Sequence, residues 1–418
     1  MTSERGTSRR RALVGINLVS LFWGLGMGAS MPVIPLLSYQ FIPDLGLAGV
    51  VTATGGVGAL FMGYLSGPLM DRFGRRGITL FGIGLRTVFS FAEGLAPSYA
   101  GLVVARLGSA IGTSVYGTGL SVITADIATP QDRGAIAGGR QSLAQVGNVL
   151  GPVIGGLLWA ATGDIRAPFI FNGLCKAVCF VIFLYVMQET RALPGGAGAP
   201  VRASSAPTVA GEAPALPVAP ALPVMTEPAL LKVLLSTGFA FVVYVVFLES
   251  LFKQAIINVV LPVYVRTELG RSETELGLIV SGVSVGALLM AFPAGFLADR
   301  LGVRTGVVLG ALLTGAALLA TALTGHVGVA LAVLLGAGMA LFVVGGQAYS
   351  IDLAPPSARG HFFAIRGSAS NAAILLGPLV VGFLTQALGY SFPFLLLAVF
   401  VLALVPLSFL IRGERKAP

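Results

Sequence analysis

The chain has 418 residues, 56% of them hydrophobic and 10% charged, with a mean hydropathy of +0.91 and a formal net charge of +9. Soluble domains carry charge on about a quarter of their residues, so these values exclude an ordinary soluble enzyme or nucleic-acid-binding domain and describe a polytopic membrane protein. No GxxxxGKS or GxxxxGKT segment occurs, which excludes a P-loop as energy source, and His326 and His361 stand apart from any cysteine cluster, so no metal and no cofactor is expected.

A hydrocarbon core of roughly 30 Å takes about 20 apolar residues per helix. Twelve runs qualify, near 12–37, 47–69, 78–95, 99–125, 135–161, 167–187, 233–264, 276–297, 303–324, 327–349, 362–388 and 392–411. Lipid cannot satisfy exposed backbone groups, so all of them are expected as helices. Basic residues cluster in alternate loops, beginning with Arg9, Arg10 and Arg11, which puts both termini on the cytoplasmic side of the cell membrane.

After span two comes GPLMDRFGRRG, Gly67 to Gly77, with Asp71, Arg72, Arg75 and Arg76 close together around Gly74. Span three holds Arg86 and, two turns on, Glu93, which reads as lying toward the outer face; span four holds Arg106. Span five contains GNVLGPVIGG, in which Gly147, Gly151 and Gly155 recur every four residues beside Pro152 and Gly156. That spacing lets a neighbouring helix approach closely, and the proline permits a bend. Span six holds Lys176 between Cys175 and Cys179, whose spacing suits two buried thiols rather than a disulfide. For Arg86 and Lys176 the sequence leaves open mutual pairing or a polar lateral opening. Residues 191–231 are rich in proline and alanine and read as a cytoplasmic linker.

Span seven carries Glu249 and Lys253, four apart and so on one helical face. Three readings stay open: a buried salt bridge that fixes the helix, a carboxylate that carries protons, or substrate binding, since ionisable groups in spans are costly and therefore functional candidates. Span one holds no acid. Aromatic and soft side chains such as Trp23, Met27, Met31, Tyr116 and Tyr244 suit an adaptable wall for amphipathic compounds, and equally suit helix packing.

The loop after span eight, GFLADRLGVRTG, repeats the first loop about 228 residues later, with Asp299, Arg300 and Arg304 but Val303 where the first copy has Arg75. A second block starting at Ala125 recurs at Ile351, about 226 residues on, matching Asp126 to Asp352, Arg140 to Arg366 and Gly151-Pro152 to Gly377-Pro378. The chain therefore reads as two homologous halves of six helices, residues 1–190 and 232–418.

On these residues the chain resembles the major facilitator superfamily, over nearly all its length outside linker and tails. GNVLGPVIGG is similar to the span-five signature of the superfamily's proton-coupled drug antiporters. Arg106 is similar to its fourth-helix arginine, although Leu107-Gly108 departs from the usual R-x-x-Q-G. The resemblance implies an all-α membrane protein of twelve transmembrane helices in two pseudo-symmetric six-helix bundles around a central cavity. It implies a cytoplasmic gate built from Gly67, Asp71, Arg72, Gly74, Arg75, Arg76, Asp126, Asp299, Arg300, Arg304 and Asp352. In that gate Arg75 pairs with Asp126 and Asp71 approaches span eleven near Gly360. The alternative for these loops is plain retention of positive charge on the cytoplasmic side.

The implied function is not enzymatic. It is alternating-access, proton-coupled efflux of hydrophobic or amphipathic organic compounds, with Glu249, Lys253, Arg106 and Arg86 as candidates for proton coupling or substrate contact. The implied partners are a small-molecule substrate, protons and membrane lipid, without nucleic acid, and the protein is expected to work as a monomer. Uptake of a small metabolite, or a membrane-embedded lipid-handling protein or enzyme, are the alternatives.

Overall fold

A computed structural model describes residues 2–129, 132–187, 233–355 and 359–410. The proposed linker, 191–231, lies outside them. Among the described residues every regular element is helical. The first elements are α1 (Thr2–Ser30), which runs through a 3-10 turn into α2 (Ile34–Phe41), then α3 (Leu45–Phe73) and α4 (Arg75–Gly94). They are followed by α5 (Tyr99–Ile127), α6 (Arg133–Thr162) and α7 (Ala167–Val186). After the linker come α8 (Thr237–Leu251), α9 (Glu273–Leu301), α10 (Val303–Thr324), α11 (Val329–Leu353), α12 (Arg359–Leu388) and α13 (Ser391–Leu402).

Eight helical stretches among the described residues are long and apolar enough to cross a membrane: Arg9–Phe41, Ala135–Thr162, Ala167–Val186, Thr237–Glu268, Glu273–Ala298, Val303–Thr324, Val329–Leu353 and Ile365–Leu388. Leu45–Val57, the part of α3 before its first side chains outside the described set, and Ser391–Leu407 are shorter apolar stretches. The runs expected at 78–95 and 99–125 are helical as α4 and α5, but charge, glycine and hydroxyl side chains dilute their apolar character.

The chain forms two compact units, residues 1–33 with 54–219, and 34–53 with 220–418. In the first, α1 packs on α6 and α7, and α4 on α5 and α7. In the second, α8 packs on α12, α9 and α10 on α11, and α10 on α13, so the α1/α6, α4/α5 and α4/α7 pairings recur as α8/α12, α10/α11 and α10/α13.

The repeat is also written in the backbone. Gly74 before α4 and Gly302 before α10 adopt the same positive-φ turn, φ 91°, ψ 145° and φ 87°, ψ 154°, which a side chain rarely enters. Where α4 crosses α5, a Cβ on Gly112 would sit 2.7 Å from the Arg86 backbone nitrogen. Where α10 crosses α11, a Cβ on Gly310 would sit 2.5 Å from that of Phe342. Both crossings are therefore backbone against backbone.

Candidate functional site

The loop between α3 and α4 presents its charges unequally. Asp71 and Arg72 are exposed, Arg72 lying 5.2 Å from the centre of the Phe73 ring. Arg75 is largely buried and forms an ion pair with Asp126 at the end of α5, with side-chain exposures of 13% and 11%. Arg76 donates to the Leu184 carbonyl at the end of α7 (2.6 Å). The loop turn at Gly74 thus delivers two consecutive guanidinium groups to two different helix ends, where carboxylate and carbonyl oxygens accept.

The second copy keeps one of these ties. Arg304, the counterpart of Arg76, donates through Nε to the Ser408 carbonyl (3.0 Å), while Val303 replaces the guanidinium that binds Asp126, and Asp352 is exposed. Arg300 lies 4.4 Å from the Phe296 ring centre. The Asp299 side chain and the surroundings of Gly67 and Gly360 lie outside the described residues.

Arg9 on α1 reaches the loop after α5, donating to Asp132 and, from Nε, to the Ile127 carbonyl (3.2 Å). The Arg9 hydrogen bond, helped by Thr129, holds the Asp132 carboxyl well below the usual carboxylate range, at about 2. A depressed carboxyl stabilises the fold above its unfolded pKa and loses that contribution as pH falls through its folded one. Asp132→Asn should therefore lower the melting temperature by a constant amount between about pH 5 and 8, with the difference closing below about pH 4. A gap that widens on acidification contradicts the assignment.

The glycines of α6 lie against α1. A Cβ on Gly147 would meet the Leu21 carbonyl oxygen at 2.5 Å, one on Gly151 the Gly28 Cα at 2.7 Å, and one on Gly155 the Ala29 carbonyl oxygen at 2.5 Å. Pro152 sits inside the helix at the same contact, as Pro378 does inside α12. Gly151→Ala has no flexible side chain to displace and should cost about 1–3 kcal/mol, read as a lower melting temperature.

The densest chemistry lies within the first unit. Arg86 and Glu93 of α4, Arg106 of α5 and Lys176 of α7 are exposed by 1%, 0%, 5% and 0%. Glu93 Oε1 accepts from Arg86 Nη1 (3.2 Å) and Arg106 Nη1 (3.4 Å). Arg106 Nη2 also lies 3.2 Å from Met31 Sδ. Lys176 Nζ donates to the Trp23 carbonyl on α1 (2.7 Å) and stands 4.2 Å from the centre of the Trp23 ring, which stacks on Tyr116 at 3.6 Å. Asn172, one turn before Lys176, donates to Ser30 (3.1 Å) and Ser90 (3.4 Å). Arg86 Nε and Nη2, Glu93 Oε2, Arg106 Nε and Asn172 Oδ1 are buried with no hydrogen-bond partner among the described residues.

Mutual pairing, not a lateral opening, therefore accounts for Arg86, and an indole with its own carbonyl accounts for Lys176. Glu93 is fully buried as the hub of the group, because α4 turns that face onto α5 rather than outward. Asn172 and the Trp23 carbonyl carried no sequence signal; the one available clue to the hub was the presence of a lone acid within reach of three span-embedded cations.

In the second unit Glu249 is half-buried at the end of α8, and Lys253 is exposed on the π-helical stretch Phe252–Val260 that continues it. No ion pair joins them within 4.0 Å among the described contacts. Asn258 Nδ2 donates to Gln254 Oε1 (3.0 Å) on the same stretch. π-helical turns are rare and concentrate at functional positions.

The family model described as Major Facilitator Superfamily matches residues 16–254 and 250–418. The chain is 30% identical over 190 residues to the tetracycline resistance protein, class H, of Pasteurella multocida, covering 43% of this chain and 45% of that protein. It is 32% identical over 174 residues to the multidrug transporter AQR1 of Candida glabrata, covering 41% and 29%. The chain thus spans less than half the length of these relatives in its matches. The bacterial homologue of the human lysosomal transporter Spinster shares the fold, with a TM-score of 0.75 at 17% identity over 96% of both chains. With an all-helical fold, a duplicated backbone and a family match through both halves, the chain belongs to the Major Facilitator Superfamily, a family of multi-pass membrane transporters rather than enzymes.

Proposed function

We propose that this protein is a proton-coupled exporter of hydrophobic or amphipathic organic compounds, working by alternating access in the cytoplasmic membrane with both termini inside. In this reading twelve spans form two six-helix bundles, residues 1–190 and 232–418, joined by the linker 191–231, and the protein acts as a monomer. The observation that carries the substrate class is the likeness to transporters named for tetracycline resistance and multidrug transport.

Three site assignments belong to it. The Arg75–Asp126 pair, with Asp71 of the same loop, forms the cytoplasmic latch, since a partly buried ion pair is strong enough to bias a two-state equilibrium and weak enough to open each cycle. The Gly147, Gly151, Pro152, Gly155 and Gly156 segment keeps α1 and α6 in contact through that cycle. Glu249 takes the proton, favoured by its half-buried place at the end of α8, one turn before a π-helical stretch.

The test is accumulation of a fluorescent amphipathic cation in cells with and without the protein. Expression should lower accumulation, and an uncoupler or Glu249→Gln should restore it. Accumulation that rises on expression contradicts export, and efflux that survives both treatments contradicts proton coupling through Glu249.

A further inference from the structure

Among the described residues the buried charges of the first unit have no counterpart in the second, although the helix crossings do. Gly82 and Gly112 set the α4/α5 crossing as Gly310 and Gly338 set α10/α11, and Phe169 and Phe394 are the buried aromatics, each directly after a proline, at the starts of α7 and α13. Carried through these anchors, Arg86, Glu93, Arg106 and Lys176 correspond to Thr314, Thr321, Ala332 and Val401. Those four are equally buried, at 0%, 1%, 0% and 0% exposure. The same architecture is therefore built with neutral side chains, so packing does not require the charges. Ionisable groups kept inside spans without a packing need are functional candidates.

The group is also unbalanced. Three cations share one carboxylate, and Glu93 is committed to both arginines. Among the described residues no carboxylate oxygen lies within 4.0 Å of Lys176, whose ammonium has one carbonyl and one indole face. A guanidinium keeps its proton under all ordinary conditions, whereas a buried ammonium can give its proton up. Of the three cations, only Lys176 can relieve the imbalance.

We propose that Lys176 is a proton-exchanging group of the transport cycle, and that its charge is read by Trp23. This rests on the proton-coupled reading above and adds a second exchange point to it. In the step, an ammonium N–H bond breaks and the proton leaves to water on one side of the membrane; the amine lone pair then takes a proton from water on the other side. With the proton on, Lys176 ties α7 to α1 through the Trp23 carbonyl and ring. With it off, the cation–π attraction is lost and Trp23, stacked on Tyr116, is released from α7. The titratable and charged groups facing Lys176 are Arg86 and Glu93 from α4 and Cys175 and Cys179 on α7 itself; from α5, Arg106 faces Arg86 and Glu93, and Tyr116 faces Cys179. From α6, Arg140 faces Tyr116, and α1 brings no titratable side chain to this level.

The chain has two tryptophans, so Trp159→Phe leaves Trp23 as the only indole. Its emission should be recorded in that background between about pH 6 and 9, where unperturbed carboxylates, tyrosines and lysines keep constant charge. The inference requires one sigmoidal step in Trp23 emission, abolished by Lys176→Met and held at the low-pH level by Lys176→Arg. Flat emission in the parent, or the same step in Lys176→Met, overturns it.

In proteoliposomes, Lys176→Met and Lys176→Arg should each lose pH-gradient-driven transport of the dye by at least about tenfold while keeping dye exchange at equal concentrations. Loss of exchange as well, in protein that still melts cooperatively, would point to a structural role and count against the inference. A parent that shows no gradient-driven transport overturns the proton-coupled reading itself, whereas full gradient-driven transport in Lys176→Met overturns this inference alone.

Discussion

Glu93→Gln is expected to lower the unfolding temperature by roughly 5 °C, corresponding to about 3–5 kcal/mol. Glu93 Oε1 is the acceptor of both Arg86 and Arg106, and all three side chains are excluded from solvent. An amide in its place leaves two guanidinium charges uncompensated inside the unit, and neither can shed its proton. Removing the whole group is a different matter, because replacing a buried ion cluster by neutral side chains of fitting shape is often neutral. The triple change Arg86→Thr, Glu93→Thr, Arg106→Ala installs the residues that fill the same slots in the second unit, and it should recover most of the stability lost by Glu93→Gln. It should not recover transport. A Glu93→Gln protein that melts within a degree of the parent would show that the cluster is not the tie that the distances describe.

The second large effect is on transport rate and separates the two loop copies. Asp126→Asn removes the charge that Arg75 binds, at side-chain exposures near one tenth, and should cost about 1–2 kcal/mol of latch energy, or roughly tenfold in transport. Asp352→Asn, at the matching position in the second half, should change transport by less than about twofold, since Val303 offers that carboxylate no partner and the residue is exposed. Initial rates of dye efflux in intact cells, corrected for protein level, check both. Equal loss in the two variants contradicts the asymmetry.

The duplication was legible in the sequence because glycine, proline and loop arginine positions are fixed by backbone geometry. The turn at Gly74 and Gly302 needs positive φ, a conformation that side chains rarely enter, so the two copies preserve the same letters. Helix content was legible from apolar run length, although α4 and α5 carry too much charge and glycine for length and apolarity alone to place them across a membrane. Partner choice among the buried charges was not legible. Arg86 to Glu93 is a spacing of two turns, and Arg106 and Lys176 lie on other helices, so their meeting depends on how α4 is rotated against α5 and α7. The Lys176 acceptor is a main-chain carbonyl, which leaves no mark on the sequence at all. For Glu249 and Lys253 the spacing of four is compatible with a pair, but the helix changes to π geometry between them and the lysine stays exposed.

The central claim, that a proton gradient drives export through this chain, is tested most directly by purified protein in liposomes with an imposed pH gradient and a fluorescent amphipathic cation at equal concentration on both sides. Proton flow in one direction should carry the compound in the other, building a concentration difference that collapses when the gradient is discharged. Equilibration that proceeds at the same rate with and without the gradient, and never beyond equal concentrations, would contradict it.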